Sequence, residues 1–324
     1  MKNFAYIGAT SPADAVALLG RSHNSKALAG GMDLIAEMRL GILAPDRLVN
    51  LKTIQGLKDI SFSEINGLQL GALATLNDIA ENLTVKLHYP VLVGAISAAA
   101  SPQLRNRGTI AGNLCQDSRC WYYRGQFRCW LKGGDVCYAS EGENAYHALF
   151  GGGPCYTVHP SDLAPALIAL DAAVHIVGPA GERILPLEKL FQQPREDARR
   201  LISLDSDELI TAIDVPAPSK ESRGKYIKAM ERGVWSFALA SVAAQVIFNN
   251  DHIRDARLVF GGVAAAPWRN RQIEEILKNT YLDDETIDKA SSMAGENARP
   301  LRHNSYKVAL IKGILKEALM ALRN

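Results

Sequence analysis

Lys26-Ala27-Leu28-Ala29-Gly30-Gly31-Met32-Asp33-Leu34-Ile35-Ala36-Glu37-Met38 is the run on which the fold turns. Lys26 to Ala29 reads as a short strand, and from Leu34 to Met38 the pattern becomes helical. A glycine pair between strand and helix lets the backbone approach a phosphate closely, with N–H groups at the helix start facing the anion. The run matches neither G-x-G-x-x-G nor the Walker pattern, so taken alone a plain tight turn is the favoured reading.

On the N-terminal side, Ser11-Pro12-Ala13-Asp14 opens a helix. Ser11 caps it, Pro12 suits the first helical position, Asp14 completes a capping-box-like pattern, and Gly20 ends it. Arg47 to Leu51 is a second strand, which gives a small α/β unit of about fifty residues. Beyond it, Leu57 to Leu73 alternates around Asn66-Gly67, a hairpin turn. Thr75 caps a helix to Glu81, and Val91 to Ala100 forms a small-residue helix ending near Ser101-Pro102. Arg105 to Asn113 is then a second loop with two glycines. In it Gly112 allows close approach and Thr109 and Asn113 offer side-chain hydrogen-bond donors. Asp162 to Leu170 is helical, Ala173 to Val177 and Arg183 to Leu185 form a hairpin, and Leu209 to Val215 is a strand. Pro216 to Arg223 reads as a linker. Tyr226 to Glu231, Ala240 to Phe248 and Ala256 to Gly262 then suggest an antiparallel sheet, covered by helices at Ile273–Lys278, Asp284–Gly295 and Ser305–Leu322.

The 324 residues are 48% hydrophobic and 22% charged, with a formal net charge of +2. That balance gives no reason to expect nucleic acid or an anionic membrane as partner. No apolar run approaches the roughly 20 residues that span a bilayer. Met1 to Thr10 lacks the features of a signal peptide. The expected location is the cytoplasm, with export as passenger of a signal-bearing partner left open.

All five cysteines, Cys115, Cys120, Cys129, Cys137 and Cys155, fall between residues 115 and 155. An odd, local set in a chain of this size points to metal before disulfides. Residues 116 to 158 show no sustained period and are rich in glycine, cysteine and aromatics, as functional excursions often are. Four thiolates can hold an iron–sulfur cluster or a structural zinc. No tight Cys-x2-4-Cys knuckle is present, and the wide spacing Cys120-x8-Cys129-x7-Cys137-x17-Cys155 favours a loop wrapped round a cluster. Buried unligated cysteines would sit in core elements instead. Cys115 belongs with the second glycine loop and is read as a small apolar residue.

Several stretches, in order along the chain, resemble the FAD-binding medium subunit of the xanthine oxidase (molybdenum hydroxylase) family. They are Ala29-Gly30-Gly31, Arg105-Asn106 through Thr109-Ile110-Ala111-Gly112-Asn113, and Pro160-Ser161-Asp162-Leu163-Ala164-Pro165-Ala166-Leu167. They continue with Lys228, Arg232, Phe237-Ala238, Phe260-Gly261-Gly262-Val263 and Pro267-Trp268-Arg269. The cysteine-bearing insertion is similar to that of relatives with an extra [4Fe-4S] cluster. Arg119-Cys120, Glu143, His147 and Cys155 to Asp162 look closest to the flavin subunit of bacterial molybdenum aldehyde dehydrogenases; the flavin subunit of 4-hydroxybenzoyl-CoA reductase is the other relative of this kind.

The resemblance implies an α+β chain with the two-subdomain FAD-binding fold of vanillyl-alcohol oxidase and CO-dehydrogenase flavoproteins, followed by a C-terminal α+β domain. The expected units are 1–54, 55–217 with the insertion at about 116–158, and 222–324. Leu28, Ala29, Gly30, Gly31, Met32, Asp33 and Leu34, with Thr109, Gly112 and Asn113, would wrap the FAD diphosphate. Asp162 and Lys228 would contact the flavin or its ribityl part. Cys120, Cys129, Cys137 and Cys155 would hold the cluster. The partners would be a large molybdenum-cofactor subunit, a small subunit with two [2Fe-2S] clusters, and an electron acceptor such as ferredoxin or NAD. The reaction would be aldehyde to carboxylic acid, or reductive dehydroxylation of an aromatic CoA thioester; a zinc-stabilised scaffold is the reading from another class. The plainer roles are an N-cap for Asp162, a solvated strand residue for Lys228 and a turn residue for Arg232. His147 and His159 flank the insertion but are left out because four cysteines complete a set.

Overall fold

The computed structural model describes residues 1–22 and 24–323. Residue 324, the last of the third expected unit, lies outside the described residues. Three sheets organise the chain. The first contains β1 (Ala5–Gly8), β2 (Ser25–Leu28) and β3 (Arg47–Asn50), paired in parallel in the order β1-β3-β2. Parallel neighbours need crossovers, here the helices Pro12–Gly20 and Leu34–Arg39. Ser11 caps the first of these by accepting the Asp14 N–H. The glycine pair thus closes β2 and opens the second crossover. β1 is the strand of this sheet that the sequence pattern did not reveal, because its four residues are largely exposed and carry no clear alternation.

The second sheet contains β4 (Ile60–Ser63), β5 (Gly67–Gly71), β6 (Ala173–Gly178), β7 (Gly181–Pro186) and β8 (Leu209–Val215) in the order β4-β5-β8-β6-β7, antiparallel throughout. Gly67 takes φ +83° at the hairpin that joins β4 to β5, as the Asn-Gly turn requires. The helices Leu76–Glu81, Leu83–His88, Pro90–Ala98 and Leu163–Ala169 share a core with this sheet, centred on Leu70, Ile79, Tyr89, Leu92, Ile96, Ile110 and Leu167. The stretch read as a second glycine loop is a turn at 106–109, with Gly108, between two short helices, Pro102–Arg105 and Ile110–Leu114. Thr109 caps the latter by accepting the Gly112 N–H, so Gly112 lies inside a helical turn.

β9 (Ser222–Ala229), β10 (Ala240–Asn249), β11 (His252–Gly261) and β12 (Trp268–Arg269) form the third sheet, ordered β12-β11-β10-β9 and antiparallel. Arg271–Leu277, Asp284–Met293 and Tyr306–Leu322 cover one face. The helices Pro90–Ala98 and Leu163–Ala169 pack against the other, so β10 is buried from Ala240 to Val246 and is apolar there except at Ser241 and Gln245. Residues 116–158 hold only two helical turns, Trp121–Arg124 and Trp130–Lys132. This excursion is pinned from outside. Lys307 Nζ donates to the Tyr146 and His147 carbonyls, Asn304 Nδ2 to those of His147 and Ala148, and Arg199 Nη1 to those of Trp130 and Gly134.

Candidate functional site

The three sheet units meet around a cleft of about 630 Å³, a size that suits a cofactor site. Ala29, Gly30, Gly31, Met32, Asp33 and Leu34 line it from the first unit, and Thr109, Gly112, Asn113 and Asp162 from the second. Trp235, Ser236 and Phe237 reach it from the third. The glycines are there for steric reasons. A Cβ on Gly30 would sit 2.0 Å from the Arg107 carbonyl oxygen, so only glycine lets the two cofactor loops touch. Gly31 holds φ +75°. Asn113 Oδ1 accepts the Ser161 hydroxyl at 2.6 Å, and Ser161 Oγ in turn accepts the Ala164 N–H at 3.0 Å. One hydroxyl therefore fixes the second loop against the start of the helix Leu163–Ala169.

Two expected contacts lie elsewhere. Leu28 is not on the cleft wall; its Cδ1 packs under Gly31. Lys228 is also off the wall. It is buried behind Asp162, donating to Asp162 Oδ2 at 2.8 Å and to the Ala98 carbonyl at 2.9 Å. It is not the solvated strand lysine of its plainer reading. Tyr226 donates its hydroxyl to Asp162 Oδ1 at 2.8 Å. Asp162 makes no cap hydrogen bond, because Ser161 already takes that role. Burial pushes the Asp162 carboxyl up, and the Lys228 charge and the two hydrogen bonds oppose it. The result is a carboxyl group at the cleft wall braced from behind at both oxygens.

Sequence reasoning did not find the ion network beside the glycine pair. Asp33 Oδ1 lies 2.8 Å from Arg119 Nη2 and 2.9 Å from Arg124 Nη2. Its Oδ2 accepts the Asp117 N–H at 2.8 Å. Glu37, one helical turn on, stands 3.5 Å from Arg124. Burial, and then the Asp117 and Asp33 charges, push Glu37 up to about 7. The signal was there in the Asp33–Glu37 spacing, but its cationic partners Arg119 and Arg124 lie 86 and 91 residues beyond Asp33 in an aperiodic segment.

The four expected cysteines fall into one neighbourhood. Cys137 and Cys155 share a hydrogen bond, which pulls the Cys137 thiol down to about 6 and pushes Cys155 up. The Cys120 sulfur lies 3.2 Å from His147 Nε2, and Cys120 feels the charges of Cys129 and Cys137. Backbone N–H groups of Tyr122 and Tyr123 aim at Cys120, those of Ala139, Ser140 and Tyr156 at Cys137, and that of Thr157 at Cys155. Such amides favour thiolates. Among the described residues no group of three or more His, Cys, Asp or Glu side chains is arranged to hold a single ion. Cys115 stands apart, lining the cleft, and burial raises its thiol to about 12. His159 points away into the core against Phe191.

Residues 2–218 match the FAD binding domain in molybdopterin dehydrogenase, and residues 225–322 match the CO dehydrogenase flavoprotein C-terminal domain. The chain belongs to the FAD-binding medium subunits of the molybdenum hydroxylase family. Among relatives of this family, the aldehyde oxidoreductase FAD-binding subunit PaoB of Escherichia coli K12 is 34% identical, over 100% of this chain and 99% of that protein. The glyceraldehyde dehydrogenase medium chain of Sulfolobus acidocaldarius is 26% identical, over 97% of this chain and 96% of that one. A carbon monoxide dehydrogenase structure from Hydrogenophaga pseudoflava superposes with a TM-score of 0.79 at 25% identity, covering 99% of this chain and 97% of that one. The expected α+β fold, with a FAD-binding domain and a C-terminal antiparallel sheet, is the one found. For the medium subunit's FAD the cleft is a chemical fit: the Gly30 contact with the Arg107 carbonyl draws two glycine-bearing turns together on its wall, and the Asp162 carboxyl is braced from behind. Among the described residues no helix is long and apolar enough to cross a membrane.

Proposed function

We propose that this chain is the FAD- and [4Fe-4S]-binding electron-transfer subunit of a heteromeric molybdenum-containing aldehyde oxidoreductase. Its partners in this reading are a large molybdenum-cofactor subunit and a small subunit with two [2Fe-2S] clusters. The observation that carries the reading is the cleft itself, which gathers ten of the twelve expected cofactor residues from separate parts of the chain. FAD, when bound, takes up electrons singly and releases them in pairs. The chain's own work is positional. Gly30 and Gly31 bring backbone to the diphosphate, Asp162 offers acceptor lone pairs, and Lys228 and Tyr226 hold that carboxylate in place.

The cluster is supported by the convergence of Cys120, Cys129, Cys137 and Cys155 and by the amides aimed at three of their sulfurs. The likeness to PaoB favours an aldehyde substrate over an aromatic CoA thioester. The test is to purify the complex anaerobically, denature it and assay it. Per copy of this chain, one FAD is expected, with iron and acid-labile sulfide each about eight, about four from the two [2Fe-2S] clusters of the small subunit and about four from this chain. One zinc per chain, with iron and sulfide each only about four, would overturn the cluster and leave the flavin assignment to stand on its own assay.

A further inference from the structure

We infer that Arg119 and Arg124, carried by the cysteine segment, neutralise Asp33 and thereby hold the flavin cleft in its binding form. Order in the cysteine segment then sets the affinity for FAD; the part that invokes iron rests on the cluster reading above. Asp33 stands one residue beyond the glycine pair, after Met32, and lines the cleft, where the family's cofactor brings a diphosphate. A bare carboxylate there would repel that anion, the more so with little water to screen it.

Every partner of the Asp33 carboxylate among the described residues comes from residues 117–124. Arg124 reaches both oxygens, and it is itself fixed, donating Nε to the Ser118 carbonyl at 2.6 Å and Nη2 to that of Asp117 at 3.1 Å. Arg119 bridges Asp33 to the third unit, its guanidinium 5.0 Å above the Phe237 ring. The same few residues build the cysteine neighbourhood. Cys120 lies between the two arginines, and its N–H donates to Ser118 Oγ at 3.1 Å. Ser118 Oγ also hydrogen-bonds Thr157 Oγ1, and the Thr157 amide faces Cys155. One connected set of contacts thus runs from Cys155 and Cys120, through the two arginines, to the dinucleotide turn. Loosening the segment withdraws both cations and leaves Asp33 and Glu37 beside the cofactor.

The test is a double-mutant cycle on the assembled complex, stripped of flavin and titrated with FAD, with iron assayed on each sample. Arg124→Met and Cys137→Ser are each expected to weaken FAD binding by about tenfold, the scale of an ordinary site-to-site coupling. In an Asp33→Asn background, where there is no carboxylate to neutralise, both losses are expected to vanish. Arg119→Met, which leaves the Arg124 contacts in place, serves if Arg124→Met fails to assemble. Unchanged FAD affinity in the arginine variants, or the same loss in both backgrounds, overturns the inference. A parent complex with iron and sulfide each only about four, the share of the two [2Fe-2S] clusters, removes only the cluster reading, and the arginine variants still decide the link.

Discussion

Lys228 carries a charge that no water shares. Its side chain is 1% exposed, and that of its partner Asp162 is 7% exposed. Removing one member of such a pair strands the other charge, whereas removing both leaves two neutral groups. Lys228→Met should therefore cost about 3–5 kcal/mol of stability, read as a fall in the denaturation midpoint. Lys228→Met combined with Asp162→Asn should recover much of that loss. A double variant as unstable as the sum of the singles would mean that the pair does not act as a unit. The sequence pointed to both residues but not to their relation. Lys228 stands in β9 and Asp162 ahead of a helix, 66 residues apart. No local pattern says that a strand lysine points inward. Asp162 had the position of an N-cap, yet the neighbouring Ser161 makes that hydrogen bond, and the choice between two adjacent capping residues is made by tertiary packing.

At the scale of elements, regular structure was legible wherever periodicity and caps agreed. The helix opened by Ser11, the Asn66-Gly67 hairpin and the strand Leu209–Val215 all lie where their patterns placed them. The excursion at 116–158 showed only that it was irregular. Its order comes from Lys307, Asn304 and Arg199, side chains far along the chain. The crossover helix Leu34–Arg39 shows the same limit, because its pattern gives the helix but not the burial of Glu37, which is 2% exposed. The folded protein holds the Glu37 carboxyl near pH 7, against an ordinary value of 4.5. Folded protein therefore binds the extra proton between these values. The stability is fully present below about pH 4.5 and is lost as pH rises toward about 7, a loss of order 3 kcal/mol. Glu37→Gln should remove this slope. Denaturant midpoints at pH 5 and pH 7.5 check it, and an unchanged slope in the variant would assign the pH dependence to other groups.

The molecule as a whole places its cofactor cleft where no single unit can complete it. Gly30 to Leu34 come from the parallel sheet unit, Thr109, Asn113 and Asp162 from the second, and Trp235 and Phe237 from the loop between β9 and β10. Trp235 and Phe237 are 64% and 50% exposed, so this third wall is the least buried. A ligand that touches all three units stabilises the whole only if they unfold together. Under that condition, free FAD at about a hundred times its dissociation constant adds about 2.7 kcal/mol to the folded state. The apparent melting temperature of the flavin-stripped chain should then rise with FAD concentration. Hydrogen exchange should slow in three separated places, around residues 29–34, 109–113 and 235–237. If FAD slowed exchange only around 29–34, the first unit would hold the dinucleotide alone, and the other two walls would be neighbours of the site without contributing to its affinity.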